Sequence, residues 1–196
     1  MSLDLDRLMD NARIHLPGAL DSTLKLEMYN ALNDFFQNSN IWQEEIEFEV
    51  TTSALEYSIE ATSVSSIVRL ASLVDTNNSP VGATMAEPGE LILDTAPSQD
   101  TVYTATVVLT VDSPVARSGF PEFPAWILDK YHTGLLDGLL ARMMAQPAKP
   151  YSNLPMAATR YRSFRIATAQ AGSESVRKNL SNAQAWRFPQ NFARTR

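Results

Sequence analysis

The stretch Glu44-Glu45-Ile46-Glu47-Phe48-Glu49-Val50, followed after a short break by Leu55-Glu56-Tyr57-Ser58-Ile59-Glu60, is where the chain changes from a helical to a two-residue period. Ile46, Phe48 and Val50 alternate with Glu45, Glu47 and Glu49, and Leu55, Tyr57 and Ile59 alternate with Glu56, Ser58 and Glu60. One apolar face and one polar face describe half-buried antiparallel strands, so the spacing predicts two of them, joined near Thr52-Ser53. Further β-like runs follow at 66–74, 90–93 and 101–111, separated by turn-rich stretches at 75–80, 87–89 and 96–100. Residues 44–112 read as one β region of about five strands. Glu44, Glu45, Glu47 and Glu49 form its solvated face or, on a second reading, a face shown to a basic partner.

Helical period governs both flanks. Leu5, Leu8, Met9 and Ala12 share one face of a segment from Leu3 to about Ile14, which Pro17-Gly18 ends. Leu20, Leu24, Met28, Leu32, Phe35 and Phe36 recur through a second helix from Ala19 to about Asn38. Beyond the Pro-rich hinge at 119–124, Trp126, Ile127, Tyr131, Leu135, Leu139, Arg142 and Met143 mark a third helix from about Ala125 to Ala145. A fourth is predicted from about Leu154 to Leu180, with Asn153 as its N-cap and Pro155 in its first turn. The expected fold class is α+β: a small helical bundle (1–43 and 114–184) with an inserted antiparallel β region (44–113) and an extended C-terminal tail (185–196).

With 196 residues, 21.7 kDa and 44% hydrophobic side chains, the chain can bury a core without staples. Its net charge of −6 argues against a surface wholly built to grip nucleic acid. That average hides a division, because residues 1–141 hold 6 basic and 21 acidic side chains while residues 142–196 hold 10 basic and 1 acidic. A basic segment thus follows an acidic body. The absence of cysteine removes disulfides, thiolate nucleophiles and sulfur-ligated zinc, which fits a cytosolic or virion setting. No apolar run approaches the roughly 18 residues of a bilayer span, and the N-terminus lacks the basic and apolar regions of a signal peptide. Neither a membrane protein nor a secretory substrate is expected.

Catalytic signatures are absent. His15 and His132 lie far apart in different predicted elements, and neither a nucleophile elbow nor a phosphate-binding glycine loop occurs. Asp75-Thr76-Asn77-Asn78-Ser79 begins like a calcium loop, but Pro80 stands where the tight turn wants glycine and Ala86 where the bidentate carboxylate belongs. A β-turn is the simpler reading. No catalytic residue, metal site or cofactor is predicted, and the chain is expected not to be an enzyme.

Interaction features are stronger. Gly134 and Gly138, followed by Ala141 and Ala145, line small residues along one helix stripe, against which another backbone can pack closely within the subunit or between subunits. Arg160, Arg162 and Arg165 fall mostly opposite the face shared by Tyr161, Phe164 and Thr168. That basic surface could be solvated, face an acidic neighbouring copy, or face DNA. The tail carries Trp186, Arg187, Phe188, Phe192, Arg194 and Arg196, the composition of interface anchors. It docks into another protein, folds back on its own domain, or stacks on nucleic acid.

The stretch Phe123-Pro124-Ala125-Trp126-Ile127-Leu128-Asp129-Lys130-Tyr131 continues through Gly134, Gly138, Ala141-Arg142-Met143-Met144 and Pro147-x-Lys149-Pro150-Tyr151-Ser152-Asn153 to Ala157 and Phe164-Arg165. This pattern resembles head-to-tail adaptor (connector) proteins of tailed bacteriophages, chiefly over residues 118–180 and weakly over the first two helices. The resemblance implies a helical bundle with a β insertion, a homo-oligomeric ring of twelve copies beneath the portal protein, and a lower face that receives a tail or nozzle protein. It also implies a channel through which genome DNA passes without sequence-specific binding, and a place at the head–tail interface of a virion assembled in the host cytoplasm. Carried onto this chain, the portal-docking extension is about 185–196, with Trp186, Phe188 and Phe192 as anchors and Arg187, Arg194 and Arg196 as charged contacts. The competing class is a nucleic-acid-binding or regulatory module that uses the basic last helix and tail.

Overall fold

The computed structural model describes residues 5–62, 65–111 and 123–179. In chain order these form α1 (Leu5–His15), α2 (Asp21–Ser39), β1 (Gln43–Val50), β2 (Glu56–Ser58), β3 (Ser65–Val74), β4 (Ala83–Glu87), β5 (Glu90–Leu93), β6 (Thr101–Val111), α3 (Ala125–Met144) and α4 (Leu154–Asn179). The protein is α+β, with antiparallel sheets set between helices rather than alternating with them.

The helices bury the faces that their periodicity marks. Leu5, Leu8, Met9 and Ala12 are the buried residues of α1, and Leu24, Met28, Leu32, Phe35 and Phe36 line the inner side of α2. Leu20 departs from the expected apolar face and is 67% exposed, because the helix begins one residue later and Leu20 is its extended N-cap. Asn40 ends α2 in the left-handed region at φ 53°, its N–H donating to Phe36 O at 3.1 Å, a conformation asparagine tolerates. Asn153 Oδ1 accepts the Met156 N–H at 3.1 Å and caps α4.

The β region differs from its expected form. Among the described residues it holds six strands in two three-stranded sheets, ordered β1-β6-β3 and β2-β5-β4, instead of one region of about five. The strands that bracket Thr52-Ser53 do not pair with each other: β1 pairs β6 and β2 pairs β5. Their alternation gave the inward side of Ile46, Phe48, Val50, Tyr57 and Ile59 but not of Leu55, which precedes β2 and is 43% exposed, and it did not give the partners: Phe48 and Tyr57 meet across the gap between sheets, with ring centroids 5.6 Å apart. Strand β4 has no strong sequence signal because Ala83, Met85, Ala86 and Glu87 are weak strand formers. It forms because Pro88-Gly89, with Gly89 at φ 88°, folds it back on β5; a Cβ there would stand 2.6 Å from Ile59 O.

One apolar core runs through helices and sheets. At its centre the Phe35 ring lies 5.7 Å from Phe36, 5.4 Å from Tyr131 and 6.4 Å from Phe164, joining α2, α3 and α4. From Phe36 the cluster extends to Trp42 at 5.2 Å, where the chain enters β1. The second half of β6, Val107 to Val111, is buried throughout, and Thr110 Oγ1 donates to Asn33 Oδ1 of α2 at 2.6 Å. The first half of β6 and its neighbour β1 project beyond the cover of α2, so one face of the sheet there is open.

Candidate functional site

Small residues set how closely α3 and α4 approach. A Cβ on Gly134 would stand 2.4 Å from Ala167 Cβ, and one on Gly138 would stand 2.6 Å from the Phe164 ring. At Gly134 and Gly138 the stripe is therefore filled by α4 of the same chain, which is the intrasubunit alternative of the two packings expected for it, while Ala145, the C-cap of α3, is exposed. Tyr151, which carries part of the resemblance, is buried in the turn between the two helices and donates to Gln146 Oε1 at 3.1 Å.

Charged groups tie this seam together. Lys130 Nζ lies 2.5 Å from Glu174 Oε1, and the Tyr131 hydroxyl donates to Glu174 Oε2 at 2.5 Å. Burial, then the hydrogen bond and charge of Glu174, hold the Tyr131 hydroxyl well above its ordinary pKa. Arg142 reaches Asp34 of α2 at 2.9 Å, and Arg160 reaches Asp137 of α3 at 2.6 Å. Asp137 is 5% exposed, so this pair lies at the seam, contrary to the outward placement expected of Arg160. The physical reason is helical phase: residues 160, 164 and 171 share the side turned to α3. Tyr161 departs in the other direction; it was expected on the apolar face with Phe164 and Thr168, and is 45% exposed at its margin.

Opposite the seam, α4 presents Arg162, Arg165 and Arg177, each exposed and without a side-chain partner among the described residues. Large apolar side chains stand among them: Ile166 is 52% exposed and Val176 61%. Arg162, Ile166, Ala169, Ser173 and Val176 follow one another at spacings of 4, 3, 4 and 3 and so share one outward stripe of the helix. Inner-face spacing does not mark this row, because Ile166 and Val176 lie on the side of the helix away from Phe164 and Ala171. The same spacing rule, applied to the outer face, would have found them. A groove of about 1040 Å³ runs between this face and α3, bordered by Lys130, Asp137, Ile166, Glu174 and Arg177.

A second surface is acidic. Glu45, Glu47 and Glu49 stand exposed along β1, an edge strand, opposite Thr106, Thr104 and Val102 of β6. Glu44 does not join them: the pleat turns it to the other face, where its carboxylate accepts the Thr62 N–H at 3.1 Å. Between residues 44 and 111 there are 11 acidic side chains and one basic, Arg69. Irregular register in β3 turns Arg69 outward, and its guanidinium donates to Gln37 O and Asn40 Oδ1 at the end of α2.

The remaining candidates are structural. Asp75 Oδ1 accepts the N–H groups of Asn77 and Ser79, each at 2.8 Å, and so closes its own turn. Asp100 clamps Thr52 by accepting its N–H at 2.7 Å and its hydroxyl at 2.8 Å, which lowers the carboxyl pKa. His15 and His132 are both exposed, on α1 and α3. Among the described residues no group of three or more histidine and carboxylate side chains is placed to hold a metal ion, and no helix is long and apolar enough to cross a membrane. Trp186, Arg187, Phe188, Phe192, Arg194 and Arg196 lie outside the described residues. No protein-family model matches the chain, and no curated protein matches it.

Proposed function

We propose that this chain is a structural virion protein, a head-to-tail adaptor whose copies form a ring that joins the portal to the tail and lines the genome channel. The observation that carries the reading is the outer face of α4, where arginines without a side-chain partner among the described residues and exposed apolar side chains share a helix whose inner side is packed on its own chain. Such a face is the composition of a macromolecular interface rather than of a reaction cleft. In this reading the helices are the bundle that builds the ring, the β region is its insertion, and residues 185–196 dock on the portal through Trp186, Phe188 and Phe192. Modest affinity per copy becomes strong through repetition around the ring. The acidic β region suits a conduit wall, since like charge keeps DNA from sticking.

Removing residues 185–196 tests the reading directly. The truncated protein is expected to lose its binding to purified portal rings, seen by negative-stain microscopy and co-sedimentation; binding equal to that of the full chain overturns the docking assignment.

The partnerless arginines also favour one other reading, a nucleic-acid-binding module. Titration of duplex DNA at rising salt separates the two: tight binding that falls steeply with salt supports the module, and weak binding throughout supports the adaptor.

A further inference from the structure

The charge left outward by α4 and the charge left outward by β1 are opposite in sign, and they cannot meet within one molecule. Ser175, on the inner side of α4, accepts from Gln43 Nε2 at 3.1 Å and donates to Asn40 O at 2.7 Å. The start of β1 is thus fastened to the inner side of α4, while Arg162, Ile166 and Ser173 lie on the opposite side of that helix. Any pairing of the two faces is between copies.

We infer that the outer face of α4 is the seat for the Glu45–Glu47–Glu49 face of a second copy of this chain. This rests on the ring reading above and names the two surfaces that make the contact. Dimensions agree. Glu45 to Glu49 spans about 14 Å along a strand, and Arg165 to Arg177 spans about 18 Å along a helix. The carboxylate row fits between the two basic ends, within reach of the long arginine side chains. Between those ends α4 offers Ile166 and Val176, and the acidic face offers Val102, 37% exposed and opposite Glu49 in the sheet. Apolar contact beside charges of opposite sign gives such a contact both area and specificity. Because the two surfaces differ, the contact is head-to-tail, the kind that builds a ring when its repeated rotation closes.

Two reversed proteins test the inference by sedimentation velocity over a wide concentration range. The wild type is expected to associate at low salt and to come apart as salt rises. R162E/R165E/R177E places acid against acid, and E45K/E47K/E49K places base against base. Each alone should associate at least about tenfold more weakly than the wild type, since like charges facing each other across an interface are strongly disfavoured. Mixed in equal amounts, the two variants should associate again, because every α4 face then finds a β1 face of opposite sign. That recovery also shows that both proteins are folded.

A monomeric wild type at all concentrations, association that ignores both reversals, or a mixture that does not recover overturns the pairing. So does a wild type that stays monomeric and uses its α4 arginines to hold duplex DNA. The adaptor reading fails on a different measurement, the absence of full-length protein from portal rings, so the two failures are told apart.

Discussion

The seam between α3 and α4 and the outer face of β1 both carry rows of charged side chains, and they use them in opposite ways. At the seam Lys130 meets Glu174, Arg160 meets Asp137, and Arg142 ties the same layer to Asp34 of α2. On β1, Glu45, Glu47 and Glu49 point into solvent from an edge strand with no partner among the described residues. The seam is a closed structure, in which each charge is answered inside the chain and glycines bring the helices together. The strand is open, and its charge is answered only by something outside. The two sides of α4 repeat the contrast within one helix.

The largest expected effect breaks the closed side. Phe164 is 1% exposed, lies against Gly138 and faces Phe35, so Phe164→Ala empties the point where three helices meet. It should lower unfolding free energy by about 3–5 kcal/mol in urea denaturation, the usual cost of removing a buried ring. Ile166→Ala, two residues on but outward, should stay within about 0.5 kcal/mol of the wild type. Equal losses at the two positions would erase the distinction between the faces.

Next in size is the charge pair at the seam. Arg160→Met keeps the apolar stem but leaves Asp137, 5% exposed, without its partner. Stranding a buried carboxylate costs about 3–5 kcal/mol where both charges are enclosed; Arg160 is partly open to water, so about 2–3 kcal/mol is expected. Arg162→Met is the outward control and should be within about 0.5 kcal/mol of the wild type.

These paired variants also mark what the sequence made legible. Most inner residues of α1 and α2 followed from spacing alone, since a helix faces its core at i, i+3, i+4 and i+7 whatever it packs on; Leu20 did not, because the spacing does not say at which residue α2 starts. Strand partners did not follow, because a two-residue period says which way Phe48 and Tyr57 point and nothing about which strand lies beside them. The glycine stripe at 134 and 138 was visible, whereas its occupant required the fold. Arg160 went astray because three arginines close in sequence fall on different sides of a helix, and only the position of Asp137 decides which one turns inward. The outer row from Arg162 to Val176 was legible too, but its mixture of arginine, alanine and serine with two apolar side chains lacks the contrast that marks a core face.

A third prediction uses pH to sharpen the seam. The Tyr131 hydroxyl, buried and donating to Glu174, holds its proton more tightly in the folded protein than in the unfolded chain. The raised folded pKa means that this stabilisation is present in full below the ordinary tyrosine value of about 10 and is lost as pH rises above it. Tyr131→Phe should cost about 1 kcal/mol at neutral pH, the net worth of one hydrogen bond. The variant's stability should then fall less steeply through the alkaline range than that of the wild type. Tyr131 should develop phenolate absorbance only as the protein unfolds, and that late ionisation should vanish in the variant. Unchanged alkaline curves would mean that Tyr131 is not held by the seam.

The smallest expected effect belongs to the open side and concerns the most charge. The carboxylates of Glu45, Glu47 and Glu49 repeat along β1 at about 6.8 Å, close enough to repel and too exposed to be held by anything in their own chain. Changing all three to glutamine removes three charges at once, as many as the seam and its tie to α2 hold in acid. Stability should nevertheless stay within about 0.5 kcal/mol of the wild type, with any change a gain at low ionic strength, where repulsion is least screened. The gain should fade as salt is added, because salt already screens the repulsion in the wild type. Urea denaturation at low and high salt, at protein concentrations below those at which copies associate, reads both. A loss beyond about 1 kcal/mol would exceed what exposed surface changes produce, and would mean that the row is part of the protein's own framework rather than a surface left for a neighbour.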